Sequence, residues 1–197
     1  MGHFCVRCGA ALVPRTIEGR EHEACLHDDF VLWRDPKVAT AVVVETENGV
    51  VLGRRAIEPG RGLWCLPGGF VNDDESPEGG AERECLEEIG APVDVTGLIG
   101  VYHIARAEAP SMIAIVYRGR LKDGAVARAG SEMLEVAVFA TDALPPLAFS
   151  SHREALTDYF SPVARAAAEP ERAGAAQARR SKRPSRARGS PRRRRML

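Results

Sequence analysis

The chain has 197 residues, with 27 Lys and Arg against 27 Asp and Glu and 45% apolar residues. That length suffices for one core with an appendage, and no apolar run approaches the ~18 residues of a membrane-spanning helix. The zero net charge is a cancellation: residues 161–197 hold 12 Lys and Arg against two Glu, and residues 1–160 are acidic to match, which excludes a uniformly basic nucleic-acid-binding domain.

The start, Met1-Gly2-His3-Phe4-Cys5-Val6, has no apolar signal region, and five cysteines without a leader suit a reducing compartment. The expectation is a cytoplasmic protein without membrane contact. Cys5 and Cys8 stand two residues apart, with Cys25 after a loop. Thiolates at such spacing form structural zinc sites, which need four ligands in a tetrahedron. The pattern resembles a zinc ribbon with an unusual fourth position. Ribbon spacing points to Asp28, where relatives carry cysteine, and His27 lies one residue nearer. One structural Zn2+ on Cys5, Cys8, Cys25 and Asp28, with Gly9 in a knuckle turn, is therefore expected for a β module over residues 1–34. The alternative, a degenerate ribbon folding without metal, meets the objection that about thirty residues bury too little core.

Residues 35–160 form a second unit. Val38–Glu45 and Val50–Arg54 are β-branched runs joined through Asn48-Gly49, a hairpin signal. Ser76, Pro77 and Glu78 predict a helix start, with a hydroxyl N-cap, proline at the first position and an acid in the first turn; Gly90 predicts its stop. Ile99–Ile104, Met112–Leu121 and Glu135–Ala140 read as strands, and Asp142–Leu144 and Ser151–Tyr159 as helical, with Pro145-Pro146 between them. Cys65 and Cys85 sit in apolar patterns and read as core. From about Ala164 the chain is rich in Arg, Ala, Ser and Pro and is expected to be a disordered tail over residues 161–197. Such an arm would attract polyanions non-specifically, since it has no aromatic ring to stack on a base.

The helix carries the chemistry. Gly69, Glu75, Arg83, Glu84, Glu87, Glu88 and Gly90 stand at the spacing G-x5-E-x7-R-E-U-x-E-E-x-G-U. A chance match is on the order of one in 10^5, which sets coincidence aside. At helical pitch Glu84, Glu87 and Glu88 fall within roughly a 100° arc, beside an apolar stripe of Ala81, Cys85 and Ile89. Like charges at this spacing each cost a helix about 0.2–0.5 kcal/mol, and acids in its last turns oppose the macrodipole. A hard divalent cation, Mg2+ or Mn2+, would reverse both signs.

This pattern is the Nudix box, and the chain resembles the Nudix hydrolases. The resemblance implies an α/β fold, an α/β/α sandwich with a mixed sheet, and Mg2+-dependent cleavage of a diphosphate linked to a nucleoside. It maps the metal ligands onto Glu84, Glu87 and Glu88 with the Gly68 carbonyl. It makes Arg83 the residue that orients the acids and Glu75 its partner. The general base would be Glu84, or a later acid such as Glu132 or Glu135. Pro67, Gly68 and Gly69 also read as turn formers.

For the substrate, Leu52 to Phe70 and Pro146 to Leu156 resemble ribbon-bearing Nudix proteins associated with FAD and ADP-ribose pyrophosphatase activity, whose products would be AMP plus FMN or ribose 5-phosphate. Arg54, Arg55, Trp64 and Gly69 are candidate substrate-binding residues; Trp64, Tyr102 and Phe149 are candidate stacking rings, with buried core as the competing role for each, and consecutive strand residues face apart, so at most one of the two arginines meets phosphate. Ser150 and Ser151 match a shared motif or cap a helix. The ribbon also resembles NADH pyrophosphatases, but their signature after the box is replaced by Gly100-Val101-Tyr102-His103-Ile104-Ala105. An oxidised-nucleotide hydrolase is a further alternative. A nucleotide-sensing, nucleic-acid-binding regulator is another, which the intact box argues against. Many relatives form homodimers.

Overall fold

The computed structural model describes residues 2–106 and 110–161; the basic tail expected from about Ala164 lies outside the described residues. Near the amino terminus, β1 (Val13–Ile17), β2 (Arg20–Ala24) and β3 (Val31–Leu32) form an antiparallel sheet in that order. The turn between β1 and β2 is Glu18-Gly19, both with positive φ (51° and 77°), the two-residue geometry whose twist matches the flanking strands. Gly9 (φ 76°) turns the preceding knuckle, where its amide donates to the Cys5 carbonyl at 2.8 Å. The core of this sheet is small: Cys5, Leu12 and Cys25, with Ala10, Phe30 and Leu32 packed against them.

The larger sheet holds β4 (Lys37–Thr46), β5 (Gly49–Arg55), β6 (Trp64–Cys65), β7 (Val93–Ile104), β8 (Met112–Leu121) and β9 (Met133–Phe139). β4 runs parallel to β8, and β8 antiparallel to β7, so the sheet is mixed. β4 and then β6 line one edge of β5, and β9 pairs along the other. Two helices, α1 (Pro77–Ile89) and α2 (Ser150–Phe160), cover its two faces.

The layering follows from strand geometry. Side chains alternate between faces, and a strand covered on both sides is apolar throughout. In β4, Val42 and Val44 pack with Ala81, Cys85 and Ile89 of α1, whereas Ala41 and Val43 pack with Ala155 and Leu156 of α2. Each fully buried valine contributes roughly 1.5–3 kcal/mol of transfer free energy. The result is the α/β/α sandwich expected. Cys65 and Cys85 are both buried in it. Among the described residues no helix is long and apolar enough to cross a membrane.

Three local expectations need correction. The hairpin turn is Glu47-Asn48, one residue early, because Thr46 pairs with Gly49. Gly49 begins β5, where a Cβ would stand 1.9 Å from the Phe139 carbonyl oxygen, so glycine lets β9 approach. Asp142 lies in a turn rather than a helix, since the prolines at 145 and 146 disfavour helical backbone ahead of them. α2 starts at Ser150 with Phe149 in the N-cap position and no side-chain cap, so neither Ser150 nor Ser151 caps it.

Candidate active site

The helix that carries the acids is bounded by local chemistry. The Ser76 hydroxyl accepts the Gly79 amide at 3.1 Å, Pro77 opens the first turn, and Gly90 (φ 59°) closes the last in the left-handed region. Burial of Ala81, Cys85 and Ile89 against the sheet fixes its rotation, which turns Glu84 and Glu88 to the Pro67–Phe70 loop and leaves Glu87 exposed.

That loop runs along β4. The Pro67 carbonyl accepts the Val42 amide at 2.9 Å and the Gly69 carbonyl the Thr40 amide at 2.8 Å. Extended backbone alternates, so the polar groups of the intervening Gly68 face away from β4. Its amide donates to Glu88 Oε2 at 2.8 Å. A Cβ on Gly68 would lie 2.1 Å from the Thr40 carbonyl oxygen, so no larger residue fits there, and one on Gly69 would lie 2.5 Å from Glu84 Oε1 and displace that carboxylate.

Arg83 is the hub. It grips Glu75 bidentately, Nε to Oε2 at 3.0 Å and Nη2 to Oε1 at 2.6 Å. Nη1 reaches Glu84 Oε1 at 2.8 Å and Glu87 Oε2 at 3.2 Å, and Nη2 also donates to the Phe70 carbonyl at 2.9 Å. The guanidinium thereby ties the helix to the loop before it, a use of planar geometry that lysine cannot reproduce. Its hydrogen bonds hold the Glu75 carboxyl down at about 2, helped by the Asn72 amide.

Glu84 and Glu88 shift upward. Burial pushes Glu88, which is 4% exposed, up to about 7, against the lowering effect of the Gly68 amide; Glu84 and Glu132 raise it further. Burial also raises Glu84, opposed by Arg83, with Glu87 and Glu132 adding to the rise. Glu88 is thus a buried acid whose ionisation is opposed by its surroundings, on a face already crowded with carboxylates.

Glu132 belongs to this neighbourhood, and its loop explains why. The Arg128 amide donates to the Ile89 carbonyl at 2.8 Å and the Gly130 amide to the Glu88 carbonyl at 2.8 Å, so the loop before β9 satisfies carbonyls in the last turn of α1. The Glu132 carbonyl in turn accepts the Ala56 amide at 2.8 Å. Gly130 lies so close that a Cβ would stand 1.9 Å from the Glu87 carbonyl oxygen. Sequence reasoning missed Gly130, for a lone glycine between Ala129 and Ser131 reads only as a turn. Glu135 instead pairs with Arg54 at 3.4 Å.

The expected substrate residues divide. Arg55 is 8% exposed, donates from Nε to the Pro59 carbonyl at 2.7 Å and lies 5.0 Å from the Phe149 ring centroid; its charge lowers the Glu88 carboxyl. Arg54 points to Glu135, as strand alternation requires. Trp64 is half-buried and meets Phe139 edge-on at 4.7 Å. The Tyr102 hydroxyl donates to Asp158 at 2.7 Å. His152, not singled out from the sequence, accepts the Leu66 amide on Nδ1 at 3.1 Å, next to the box loop; burial, then the charge of Arg55, hold its imidazole down at about 4.

Comparison with known proteins agrees with this geometry. The NUDIX domain family model matches residues 35–159. An ADP-ribose pyrophosphatase of Methanocaldococcus jannaschii is 35% identical over 132 residues, 66% of this chain and 77% of that protein. A MutT-like protein of Streptomyces ambofaciens is 38% identical over 105 residues, 53% of this chain and 64% of that protein. Among solved structures, a NUDIX hydrolase from Nitrosomonas europaea superposes with a TM-score of 0.72 at 34% identity, covering 79% of this chain and 89% of that one.

Proposed function

Since the chain belongs to the NUDIX family and is a Nudix pyrophosphohydrolase, we propose that it cleaves the diphosphate of ADP-ribose to AMP and ribose 5-phosphate, with FAD as the second substrate. The observation that carries the substrate is the 35% identity with the archaeal ADP-ribose pyrophosphatase over 77% of its length. The division into a ribbon-like module (1–34), a hydrolase domain (35–160) and a basic tail (161–197) is part of the same reading.

The residues fit a hard divalent cation, Mg2+ or Mn2+. Glu84, Glu87, Glu88 and the Gly68 carbonyl offer oxygen donors alone, and the buried Glu88, raised to about 7, is the acid that such a charge would return to its ionised form. When bound, the cation neutralises the diphosphate and makes water acidic enough to supply hydroxide near neutral pH. Arg83 holds Glu84 and Glu87 in place, and Glu75 fixes Arg83. Gly68 lets the loop lie against β4, and Gly69 admits the Glu84 carboxylate to the loop backbone. A carboxylate takes the proton of the attacking water, which displaces one phosphoryl group without a covalent enzyme intermediate. Glu84 and Glu132 are the two acids suited to that step, because both lie close enough to Glu88 to raise its carboxyl, whereas Glu135 turns to Arg54. Arg55 is the arginine turned toward the acids and is assigned to the substrate phosphates.

Incubating the full chain with Mg2+ and, separately, ADP-ribose, FAD, NADH and 8-oxo-dGTP, with products separated by chromatography, tests the substrate. ADP-ribose is expected to have the highest kcat/KM; faster hydrolysis of NADH or 8-oxo-dGTP would overturn the choice.

A further inference from the structure

Apart from the acids of α1, a second constellation stands at the other end of the described chain. Cys5, Cys8, Cys25 and Asp28 bring one ligand atom each within 4.8 Å of all the others. Cys8 Sγ lies 3.5 Å from Cys25 Sγ, and Cys5 Sγ lies 3.4 and 3.7 Å from the two Asp28 oxygens. Zinc bound tetrahedrally, at about 2.3 Å from sulfur and 2.0–2.2 Å from oxygen, would set sulfurs about 3.8 Å apart and sulfur about 3.6 Å from oxygen. The Cys8–Cys25 and Cys5–Asp28 separations lie within about 0.3 Å of those edges, and all four ligand atoms lie within 4.8 Å of one another. Three thiolates exclude Mg2+ and Ca2+, which select oxygen alone.

The surroundings support the same assignment. The Arg7 amide donates to Cys5 Sγ at 3.4 Å and the His27 amide to Cys25 Sγ at 3.3 Å, so each knuckle turns a backbone donor toward a sulfur. The Phe30 amide holds Asp28 Oδ1 at 2.8 Å, fixing the carboxylate toward the cluster. The Arg7 side chain pairs with Asp29, next to the ligand Asp28. His27 contributes its backbone and is absent from the converging group. Phe4, Val6 and Leu26 are 64%, 81% and 69% exposed, so the apolar residues around the cysteines leave most of their surface in water rather than in a core. Three short strands with so little buried surface need another source of stability.

We propose that Cys5, Cys8, Cys25 and Asp28 bind one structural Zn2+ through three sulfurs and one carboxylate oxygen, with His27 outside the coordination sphere. The carboxylate replaces the fourth thiolate of an all-cysteine site and makes this ion more exchangeable than a four-sulfur one. The site is independent of the diphosphate chemistry and stands or falls without it.

The test uses the full chain purified without an affinity tag. Elemental analysis is expected to find stoichiometric zinc, and its absence after growth in zinc-replete medium would overturn the site. Cobalt exchanged for zinc is expected to show tetrahedral ligand-field bands with sulfur-to-cobalt charge transfer. Asp28→Cys is expected to retain the ion and intensify the charge transfer, and Asp28→Ala to weaken zinc binding about tenfold or more in competition with a chelator. His27→Ala is expected to leave spectrum and affinity unchanged. An unaltered cobalt spectrum in Asp28→Cys, or a loss of binding in His27→Ala, would remove Asp28 from the ligand set.

Discussion

The backbone of Gly69 lies directly against the Glu84 carboxylate, so close that a methyl group on its Cα would stand 2.5 Å from Oε1. The obstructed atom is the end of a flexible side chain, which can move aside at little cost to the fold. Gly69→Ala should therefore lower kcat about 10²-fold, the scale of a 1 Å misplacement, while the melting temperature stays near that of the parent. Steady-state kinetics beside thermal melts check this pairing.

Glu88→Gln should separate stability from activity. The wild-type acid is buried and its ionised form is disfavoured. In a chelator at pH 8 the neutral amide should raise unfolding free energy by about 1 kcal/mol, because a charge whose burial outweighs the Gly68 amide and Arg55 is removed. Hydrolysis with Mg2+ should fall about 10²-fold or more, since a cation ligand is lost. Urea denaturation and turnover on the same preparations measure both.

At Gly130 the obstruction is backbone, a carbonyl oxygen of α1 at 1.9 Å from the added Cβ. Gly130→Ala should then displace the loop that carries Glu132 and cost about 1–3 kcal/mol of stability with a loss of kcat. Glu132→Gln should lower kcat with the stability retained. The two variants together distinguish the loop's placement from the acid it bears.

His152 should impose an acid-side dependence on stability. Its folded pKa lies at about 4, below the ordinary 6.5, because burial and Arg55 disfavour the imidazolium. The unfolded chain therefore binds more protons between these values, so the contribution is complete above about 6.5 and is lost as pH falls through about 4. Between pH 7 and 4 wild type should lose about 2–3 kcal/mol more than His152→Gln, read from urea midpoints at each pH.

What the sequence made legible was whatever is set within a few residues. Ser76 and Gly90 bound α1 as expected because caps act locally, and the β-branched run Val38–Glu45 announced the strand β4. The acidic face was readable for the same reason, and the Arg83 to Glu75 pair came from the family resemblance. What escaped depends on distant chain. β6 spans only Trp64–Cys65, and β5 pairing makes it a strand. The partner of His152 in α2, the Leu66 amide, lies far back in sequence. Gly130 owes its role to Glu87, and the preference for Glu132 over Glu135 depends on which side of β9 meets Arg54. The two arginines illustrate the boundary: alternation shows that Arg54 and Arg55 part company, but only the assembled sheet shows that Arg55 is the one beside Glu88.

The most direct test of the acidic face as the hydrolytic centre is ADP-ribose turnover at saturating Mg2+ by wild type and Glu87→Gln, with AMP and ribose 5-phosphate quantified together. Glu87 is exposed and its removal should leave the fold intact. The expected result is equimolar products from wild type, abolished by chelator, with kcat reduced about 10²-fold or more in the variant. Full turnover by Glu87→Gln, or wild-type turnover indifferent to chelator, would contradict it.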